Sequence, residues 1–595
     1  MMKGIILFVG MMTLILLPSC MVRASYVTQR YQNTERVPVL VNTIGPYRNP
    51  AESYEFYSLP FCKPPLSRHQ HRHETIGEQL EGDHLEMSLY DIRFQVDVEW
   101  QPVCSLHLKV DEVEKFRDAI KKDYYYSLRV DDIPVGAFVG TVRTDPDGGV
   151  YPVLFNHLNF KILYNGDRVI YPEVSADPEN VIELRDVDGD LYIEFSFSVT
   201  WEQSDVSFEN RMKFLLGDKL VPNKLEIHWI SIINSSVLVM LLCGFVAIII
   251  QRTLNMDYDR YTLAKESGDD SDEYGWKTVS SEVFRSPSHP EWYCALVGVG
   301  AQLLVLTVLG LVLALLGLID PLAPGGEAYT VGIVLYSWTS AIAGFVSRGL
   351  YKYLGPKNKS PRLVALYSAM LFTLPYVVVS LFLNMLAQMY HTTYSLPMDT
   401  VVTIAFIYLG MGLPQVFIGA AAADKYFPDC TPPYRAHHFE RIIPEVPVQR
   451  SFPVQVIVGG FLPFSGIYIE LHYLFGSIWG HNPYHLYGIL GIVFLLLLMV
   501  TSCVTIAFTY FQLSAENYLW WWRSFATGSA TAGYIFLYAL YFYFVRSNMY
   551  GKFQLAFYFG RVLLLVYYFG IMLGAIGSTF SFKFVRHIYS KLKAD

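Results

Sequence analysis

Hydrophobic and polar residues divide this chain into two regions. From residue 25 to residue 226 the apolar stretches are short and alternate with polar ones, whereas residues 227–582 hold nine long apolar runs. A helix of about 20 apolar residues crosses a ~30 Å hydrocarbon core. The pattern therefore predicts a polytopic α-helical membrane protein with nine transmembrane helices. The predicted spans are residues 227–250, 293–319, 329–346, 363–390, 400–423, 452–475, 486–513, 524–545 and 554–582.

Residues 1–24 predict a cleaved signal peptide. Lys3 precedes an apolar run from residue 4 to residue 17, and small residues follow near Ala24. A short anchoring helix is the alternative, but a run of about 14 residues is shorter than a membrane span. With a signal peptide, residues 25–226 lie in the lumen and the carboxyl terminus lies in the cytosol.

The basic residues follow this topology. The loops placed in the cytosol, which include residues 251–291 and the tail at 583–595, hold 19 Lys and Arg, whereas the lumenal loops hold only Arg546 and Lys552. This is the positive-inside bias of multispanning proteins. The net charge of -8 is spread along the chain, so the sequence favours no nucleic-acid partner.

The lumenal region has the pattern of a β-rich domain. Alternating runs at 92–98 and 192–197 are typical of half-buried strands, and turn residues stand at 145–149 and 165–167. One helix is predicted at 111–122. We therefore expect a lumenal β-sandwich-like domain in front of the nine spans.

Cysteine and histidine residues offer candidate chemistry in this domain. Cys62 and Cys104 are the two cysteines predicted to remain in an oxidising lumen, so one disulfide or two buried thiols are both open. His69, His71 and His73 alternate, with His84 downstream, as metal ligands can. No carboxylate or cysteine in the sequence completes a defined ligand set, so a solvated loop is preferred and no metal or cofactor is assigned.

Several local strings resemble one known family. They run through the chain as YSLPFC at 57–62, IHWISIIN at 227–234, GWK at 275–277, VFR at 283–285, GGFLPF at 459–464 and ENYLWWWRSF at 516–525. These strings are similar to the transmembrane-nine superfamily, also called nonaspanins. Arg561 in the last span departs from the family pattern.

The resemblance implies a multi-pass membrane protein of the Golgi and endosomes, with the early secretory pathway also open. It further implies a role in moving other membrane proteins, particularly those with glycine-rich spans, toward the surface. It implies neither an enzymatic activity nor a cofactor. Its expected partners are client membrane proteins, membrane lipids and a cytosolic coat.

The carboxyl terminus resembles a sorting signal. Lys591 and Lys593 stand at the fifth and third positions from the end, and Asp595 supplies a terminal acid. Such an ending resembles dilysine signals that the COPI coat captures from an extended chain end. The alternative is that these lysines only satisfy the positive-inside bias.

Three ionisable residues fall inside predicted spans. Glu470 and His472 lie in the sixth span and Arg561 lies in the ninth. An intramembrane charge is a candidate functional group, yet depth also allows a structural ion pair between Glu470 and Arg561. We favour this pair, or an arginine that reaches the membrane surface, over a proton-coupled site.

Aromatic and small residues mark two further surfaces. Trp520, Trp521 and Trp522 with Arg523 are predicted to form a membrane-interface belt, with a lipid-headgroup or client contact as the alternative. Small residues at 528–533 and the Gly570 to Gly574 pair permit close helix contact. Internal packing explains most of them, and a groove for a client helix is the sharper alternative.

Two functions from different classes follow. The first is a sorting factor that binds the spans of other membrane proteins and cycles by its tail. The second is an ion or small-solute transporter that uses Glu470. An intramembrane enzyme has little support because the spans lack a paired carboxylate or a nucleophile with its base.

Overall fold

A computed structural model describes most of the chain. The described residues are 30–65, 74–146, 148–185, 190–208, 211, 224–267, 275–319, 326–354, 361–427, 441–445, 447–448, 451–480 and 487–594. Within them a β domain comes first and a bundle of long helices follows. The predicted signal peptide at 1–24 lies outside the described residues.

The β domain contains short and long strands. They are β1 (Arg36–Val37), β2 (Val39–Pro46), β3 (Tyr54–Glu55), β4 (Glu86–Met87), β5 (Ile92–Arg93), β6 (Val98–Leu108), β7 (Tyr124–Val130), β8 (Ile133–Phe138), β9 (Gly140–Thr144), β10 (Val150–Phe155), β11 (His157–Asn165), β12 (Arg168–Ala176), β13 (Val181–Glu183) and β14 (Leu191–Gln203). Strands β3, β2, β7 and β8 form one sheet, with β4 also paired to β2, and β12, β11, β14 and β6 form another. Strands β13, β10 and β9 form a third, smaller sheet.

The two larger sheets share one hydrophobic core. Ile44 and Leu128 from the first sheet and Phe160 and Phe197 from the second belong to the same buried cluster. This arrangement confirms the predicted β-sandwich-like domain, in which each strand turns alternate side chains inward. One predicted strand is wrong, because the run at 92–98 is interrupted by a turn and Gln95 has a φ of 59°.

Two helices interrupt the strands. The helix α1 (Ile76–Glu81) begins with a capping box, in which Thr75 and Glu78 exchange side-chain and backbone hydrogen bonds, and ends at Gly82 with a φ of 84°. These are sequence-encoded start and stop residues. The helix α2 (Val110–Lys121) agrees with the prediction and packs Phe116 into the core.

The bundle contains nine helical spans among the described residues, each long and apolar enough to cross a membrane. This confirms the predicted fold class. The helices are α3 (Lys224–Ser267), α4 (Pro290–Leu315), α5 (Glu327–Leu354), α6 (Pro361–Met389), α7 (Met398–Ile407) continued through a π-helical turn (Tyr408–Gly412) into α8 (Leu413–Tyr426), α9 (Phe452–Ile478), α10 (Tyr487–Ser514), α11 (Trp520–Tyr541) and α12 (Lys552–Ala594).

The first and last helices extend well beyond their predicted spans. Helix α3 continues from residue 250 to Ser267, and α12 continues from residue 582 to Ala594. Both extensions pack on the protein, since Tyr261, Val585 and Tyr589 belong to one buried cluster. Protein contacts there replace the lipid that sets the length of a span, so apolarity alone underestimates these helices.

Glycines bring the helices of the bundle close together. A Cβ on Gly298 would meet the carbonyl oxygen of Ala343, one on Gly419 would meet the carbonyl of Ala341, and one on Gly528 would meet the carbonyl of Leu573. Small residues at such crossings let backbones approach, which is how membrane helices gain packing energy without a hydrophobic driving force.

The β domain rests on one end of the bundle, which we call the sandwich side. Asn49 exchanges two hydrogen bonds with the backbone of Tyr550, with N···O distances of 2.8 and 3.0 Å. The Ala51 amide donates to Gln554 at 3.1 Å, and the Ser53 and Thr393 hydroxyls are 2.6 Å apart. The loop between β2 and β3 therefore holds the two regions together.

Candidate functional site

The end of the bundle away from the β domain carries the carboxyl-terminal helix, and we call it the opposite side. Tyr589 is fully buried and donates a hydrogen bond of 2.5 Å to the Trp276 carbonyl. The Tyr258 hydroxyl donates to the carbonyl of Ile588 at 3.1 Å. The segment after residue 582 is therefore a packed helix, whereas capture by a coat requires an extended chain end.

The predicted sorting-signal residues stand at the end of this helix. Lys591 is exposed, and its ammonium group lies 5.8 Å from the centre of the Tyr258 ring. Asp595 and the side chain of Lys593 lie outside the described part of the chain. The helix places Lys591 at the surface of the opposite side, two residues after the last buried anchor, Tyr589.

The tryptophan triplet differs from the predicted interface belt. Trp520 and Trp521 are buried, with exposed fractions of 0% and 3%, and their indole rings stack 3.9 Å apart. Lipid-facing side chains would not be buried in protein, so a belt fails for these two residues. Arg523 contacts a different aromatic residue, and its guanidinium lies 5.7 Å from the centre of the Phe452 ring.

Each indole of the triplet hydrogen-bonds one short segment. Trp520 donates to the Val283 carbonyl at 2.9 Å, and Trp521 donates to the Arg285 carbonyl at 3.0 Å. Trp522 makes the third such bond, to a carbonyl three residues further on, at 2.8 Å. The triplet thus fixes the chain between the first two spans against α11. Hydrogen bonds from indole donors to backbone carbonyls explain the burial of such polar aromatic groups.

The intramembrane ionisable residues do not form the ion pair that depth allowed. Glu470 is buried, with 3% of its surface exposed, eight residues before the end of α9 at Ile478, which is about 12 Å along a helix. The His472 Nδ1 lies 3.0 Å from the Tyr538 hydroxyl. Arg561, the other member of that pair, has its guanidinium against the rings of Tyr394 and Phe557 in the described part of the chain.

Arg561 instead stacks between aromatic rings near the sandwich side. Its guanidinium carbon lies 4.4 Å from the centre of the Phe557 ring and 4.9 Å from that of Tyr394. The Tyr394 ring in turn packs on Gly82, at the end of α1. Arg561 therefore supports the contact between the bundle and the β domain. Its partners depend on which segments lie next to each other, and spacing along the sequence does not encode this.

The β domain contains the disulfide that the sequence left open. Cys62 and Cys104 are bonded, with a Cα–Cα distance of 6.1 Å, and they link the segment after β3 to β6. His69, His71 and His73 lie outside the described residues. His84 is described, and it contacts carboxylates of Glu55 and Glu86 that the sequence analysis did not connect with it.

Small residues separate into an internal and an external group. A Cβ on Gly574 would meet Ser529 and Phe525, so this end of the Gly570 to Gly574 pair packs within the bundle. Gly533 has nothing within 4 Å of such a Cβ. The predicted client groove therefore cannot lie at Gly574.

The fifth span, formed by α7, the π-helical turn and α8, is the most open one. Only 11% of its apolar window is buried, against 61% for α5. A Cβ on Gly410, within the π-helical turn, would meet nothing within 4 Å. Val402, Phe406 and Leu409 are exposed around it. π-helical turns occur often at functional sites, and here one presents a small residue on an exposed apolar face.

Comparisons with known proteins agree with the family that the sequence resembles. The model of the family described as endomembrane protein 70 matches residues 53–552. Transmembrane 9 superfamily member 3 of Arabidopsis thaliana is 39% identical over 595 residues, covering 99% of both chains. Transmembrane 9 superfamily member 1 of Bos taurus is 40% identical over 582 residues, covering 95% of this chain and 94% of that protein.

No solved structure matches the chain. The family match covers both the β domain and most of the bundle, and the relatives are matched along nearly their whole length. The nine helical spans agree with the name that these relatives carry. The chain is therefore a multi-pass membrane protein that belongs to the endomembrane protein 70 family, the family of the transmembrane 9 superfamily members.

Proposed function

We propose that this protein sorts and delivers other membrane proteins within the Golgi and endosomes. In this proposal the β domain lies in the lumen and the carboxyl terminus lies in the cytosol, as the signal peptide and the distribution of basic residues predict. Clients with glycine-rich spans bind within the membrane. The COPI coat binds Lys591, Lys593 and Asp595 and returns the protein for another cycle.

The open face of the fifth span is the observation that supports client binding. Gly410 lies on an exposed apolar surface that the bundle leaves uncovered. A glycine on a client helix and a glycine on this face would allow two backbones to approach closely, which is the geometry that stabilises helix pairs in lipid. The internal glycines are already occupied by neighbouring helices and are not open to a client.

Coat binding requires the end of α12 to unwind. An extended chain end is the form in which such terminal signals are read, whereas the backbone here is helical through Ala594. Helix ends fray readily because their last carbonyls have no partner within the helix. The buried Tyr589 limits unwinding to the residues that follow it, which are the residues of the signal.

The surface proteome of depleted cells tests this proposal. Cells are rescued with the native chain, with Lys591→Ala/Lys593→Ala, with Gly410→Leu or with Gly244→Leu, and surface proteins are labelled and quantified. We expect depletion of this protein to lower, selectively, the amount of proteins with glycine-rich spans at the cell surface. The native chain and Gly244→Leu restore them, because Gly244 is equally open but lies on α3.

The two remaining variants separate client binding from cycling. Gly410→Leu should reach its normal compartment yet fail to restore clients, because the leucine side chain holds a client helix away. The double lysine variant should leave its normal compartment. An unchanged surface proteome after depletion contradicts the sorting proposal, and equal rescue by Gly410→Leu contradicts the assigned face.

A transporter is the second candidate, and the burial of Glu470 within α9 is the observation that favours it. Carboxylates buried in membrane helices commonly lie on ion pathways. Glu470→Gln in reconstituted vesicles distinguishes the two functions, with proton and cation fluxes as the measurement. A flux that the native chain supports and Glu470→Gln abolishes would favour transport, whereas normal client delivery by Glu470→Gln would leave sorting as the function.

A further inference from the structure

One imidazole and three carboxylates converge at an edge of the β domain. The His84 Nε2 lies 3.1 Å from a Glu86 oxygen and 3.9 Å from a Glu55 oxygen. The His84 Nδ1, on the other side of the ring, lies 3.5 Å from a Glu74 oxygen. One ligand atom each from Glu55, His84 and Glu86 lies within 4.8 Å of the others.

The sheet holds these side chains in place. Glu55 in β3 pairs with Thr43 of β2, and Glu86 in β4 pairs with Val41, two residues away on the same edge of β2. The backbone amide of His84 donates to the Asn42 side chain at 2.7 Å. All three donors are thus anchored to three successive residues of one strand, and sites on such rigid elements lose little entropy on binding.

The surroundings orient the ring of His84. Glu74 Oε1 accepts a hydrogen bond from the Leu85 amide at 3.1 Å and faces the Nδ1 of the imidazole. When a metal ion takes the Nε2 lone pair, the proton stays on Nδ1, where Glu74 can accept it, and Nε2 faces Glu55 and Glu86. Metal-binding histidines are held by a carboxylate in this way, which sets the tautomer and makes the ligand more basic.

The electrostatic environment also favours a cation. Three carboxylates, from Glu55, Glu74 and Glu86, surround the one imidazole of His84. Glu86 and Glu74 are largely buried, with 9% and 8% of their side chains exposed, while 62% of the Glu55 side chain is exposed. A cation would therefore enter the site from solvent on the Glu55 side.

We propose that Glu55, His84 and Glu86 form a metal site of the β domain that binds Zn²⁺, through the His84 Nε2 and one oxygen of each carboxylate. Ligand atoms of a tetrahedral zinc ion lie about 3.3 Å apart, given metal–ligand distances of about 2.0–2.2 Å. The distances of 3.1 and 3.9 Å from His84 to the two carboxylates bracket that spacing. Glu74 is a positioning residue that acts through the ring.

The ligand set decides the class of metal. An imidazole nitrogen suits zinc and other first-row transition metals, whereas Mg²⁺ and Ca²⁺ prefer sets made of oxygen alone. Two carboxylates neutralise one divalent ion, which reduces the cost of placing charge beside the half-buried His84. Three protein ligands leave a fourth position open toward solvent, so a water molecule or an external ligand completes the coordination.

Equilibrium dialysis of the full-length chain in detergent tests the site. The protein is stripped with a chelator and titrated with radioactive Zn²⁺, and Co²⁺ is used in parallel because its visible absorption reports coordination geometry. We expect one tight zinc ion per chain. His84→Gln, Glu86→Gln and Glu55→Gln each weaken it about tenfold or more, and Glu74→Gln weakens it about tenfold through the orientation of the ring.

The exposure of Glu55 keeps the test independent of folding. Glu55→Gln removes a ligand at a position with 62% of its side chain exposed, so the variant is expected to fold even if His84→Gln is unstable. His107→Gln changes an exposed histidine elsewhere in the β domain and should leave zinc affinity unchanged. Unfolding temperature and elution volume verify that each variant is folded.

Three results would overturn the proposal. The first is the absence of stoichiometric zinc, and the second is equal zinc affinity in the native chain and in folded Glu55→Gln. The third is loss of all binding in a variant with glutamine at positions 69, 71 and 73 while His84→Gln still binds, which would assign the metal to that histidine run. Displacement of zinc by an equal concentration of Ca²⁺ would reject the class of metal.

Discussion

Gly77 in α1 and Gly326 at the start of α5 lie in direct backbone contact across the boundary between the β domain and the bundle. A Cβ on either glycine would collide with the carbonyl oxygen of the other. Gly326 has a φ of 63°, in the left-handed region that favours glycine. This contact holds α1 of the β domain against the bundle.

Gly77→Ala should loosen this contact without unfolding α1, because alanine favours a helix. We expect a loss of about 1–3 kcal/mol in the stability of the docked state, since an added methyl group in a packed contact forces the backbone to shift. Limited proteolysis near the boundary and the unfolding temperature in detergent measure the effect. Gly149→Ala, with only ordinary contacts, is the control, and equal behaviour of the two variants would argue against the contact.

A buried arginine ties α1 to the sheet. Arg129 in β7 forms ion pairs with Asp83 and, at 3.4 Å, with Glu78, and the three side chains are at most 10% exposed. Arg129→Met leaves two buried carboxylates without this cation and should cost about 3–5 kcal/mol of folding free energy. Denaturant titration measures it.

An exposed pair serves as the control for Arg129. Arg36 lies 3.3 Å from Asp91, and 52% and 40% of these two side chains are exposed. Arg36→Met should change stability by less than about 1 kcal/mol, because solvent screens such pairs. Similar losses for Arg36→Met and Arg129→Met would contradict the importance of burial.

The disulfide should determine how the β domain responds to reductant. Cys62 and Cys104 are 42 residues apart, and opening a loop of this length should cost about 2–4 kcal/mol. We expect Cys62→Ser/Cys104→Ser to unfold at a lower temperature and to lose the sensitivity to reductant that the native chain shows. Cys503→Ala in α10 should keep that sensitivity, and mass spectrometry without reduction should detect the bonded peptide.

The loss of stability on replacing a tryptophan of the triplet should increase with the burial of that residue. Trp520→Phe removes the donor to the Val283 carbonyl within a buried site, so we expect a loss of about 1–3 kcal/mol. Trp522→Phe removes the corresponding bond, which is accessible to solvent beside a half-buried ring, and should cost less. Unfolding temperatures in detergent rank the two variants, and an equal or reversed ranking would favour a lipid-facing role.

The end of α12 should be protected from hydrogen exchange. Amides at 583–590 are expected to exchange slowly because this part of the helix packs around the buried Tyr589. Tyr589→Ala should accelerate exchange there, whereas Ser590→Ala, at an exposed position, should not. Fast exchange throughout this segment of the native chain would indicate an unfolded tail.

Much of the membrane region could be predicted because apolarity is a local property. The span predicted at 452–475 is observed as Phe452–Ile478, and the span predicted at 486–513 is observed as Tyr487–Ser514. The observed helix ends differ from the predicted ones where a helix leaves the lipid and packs on protein, as in α3 and α12. In those places the stabilising contacts come from residues that are remote along the chain.

The candidate sites were less predictable for the same reason. Glu55 precedes His84 by 29 residues, and only the pairing of β3 and β4 with one edge of β2 brings them together. Depth alone allows Arg561 to pair with Glu470, yet the guanidinium lies against Phe557 of its own helix and Tyr394 from the segment between α6 and α7. The depth of a residue follows from its place in a span, whereas its partner does not.

The sequence by itself determined the nine spans, the alternation of strands and turns in the β domain, and the helix α2, because these depend on residues that are neighbours in the chain. The tertiary structure decided which glycines pack internally and which stay open, what surrounds Trp520 and Arg561, and which carboxylates face His84. These features depend on helix adjacency and strand register, which arise from many weak contacts between distant segments, so no local pattern encodes them.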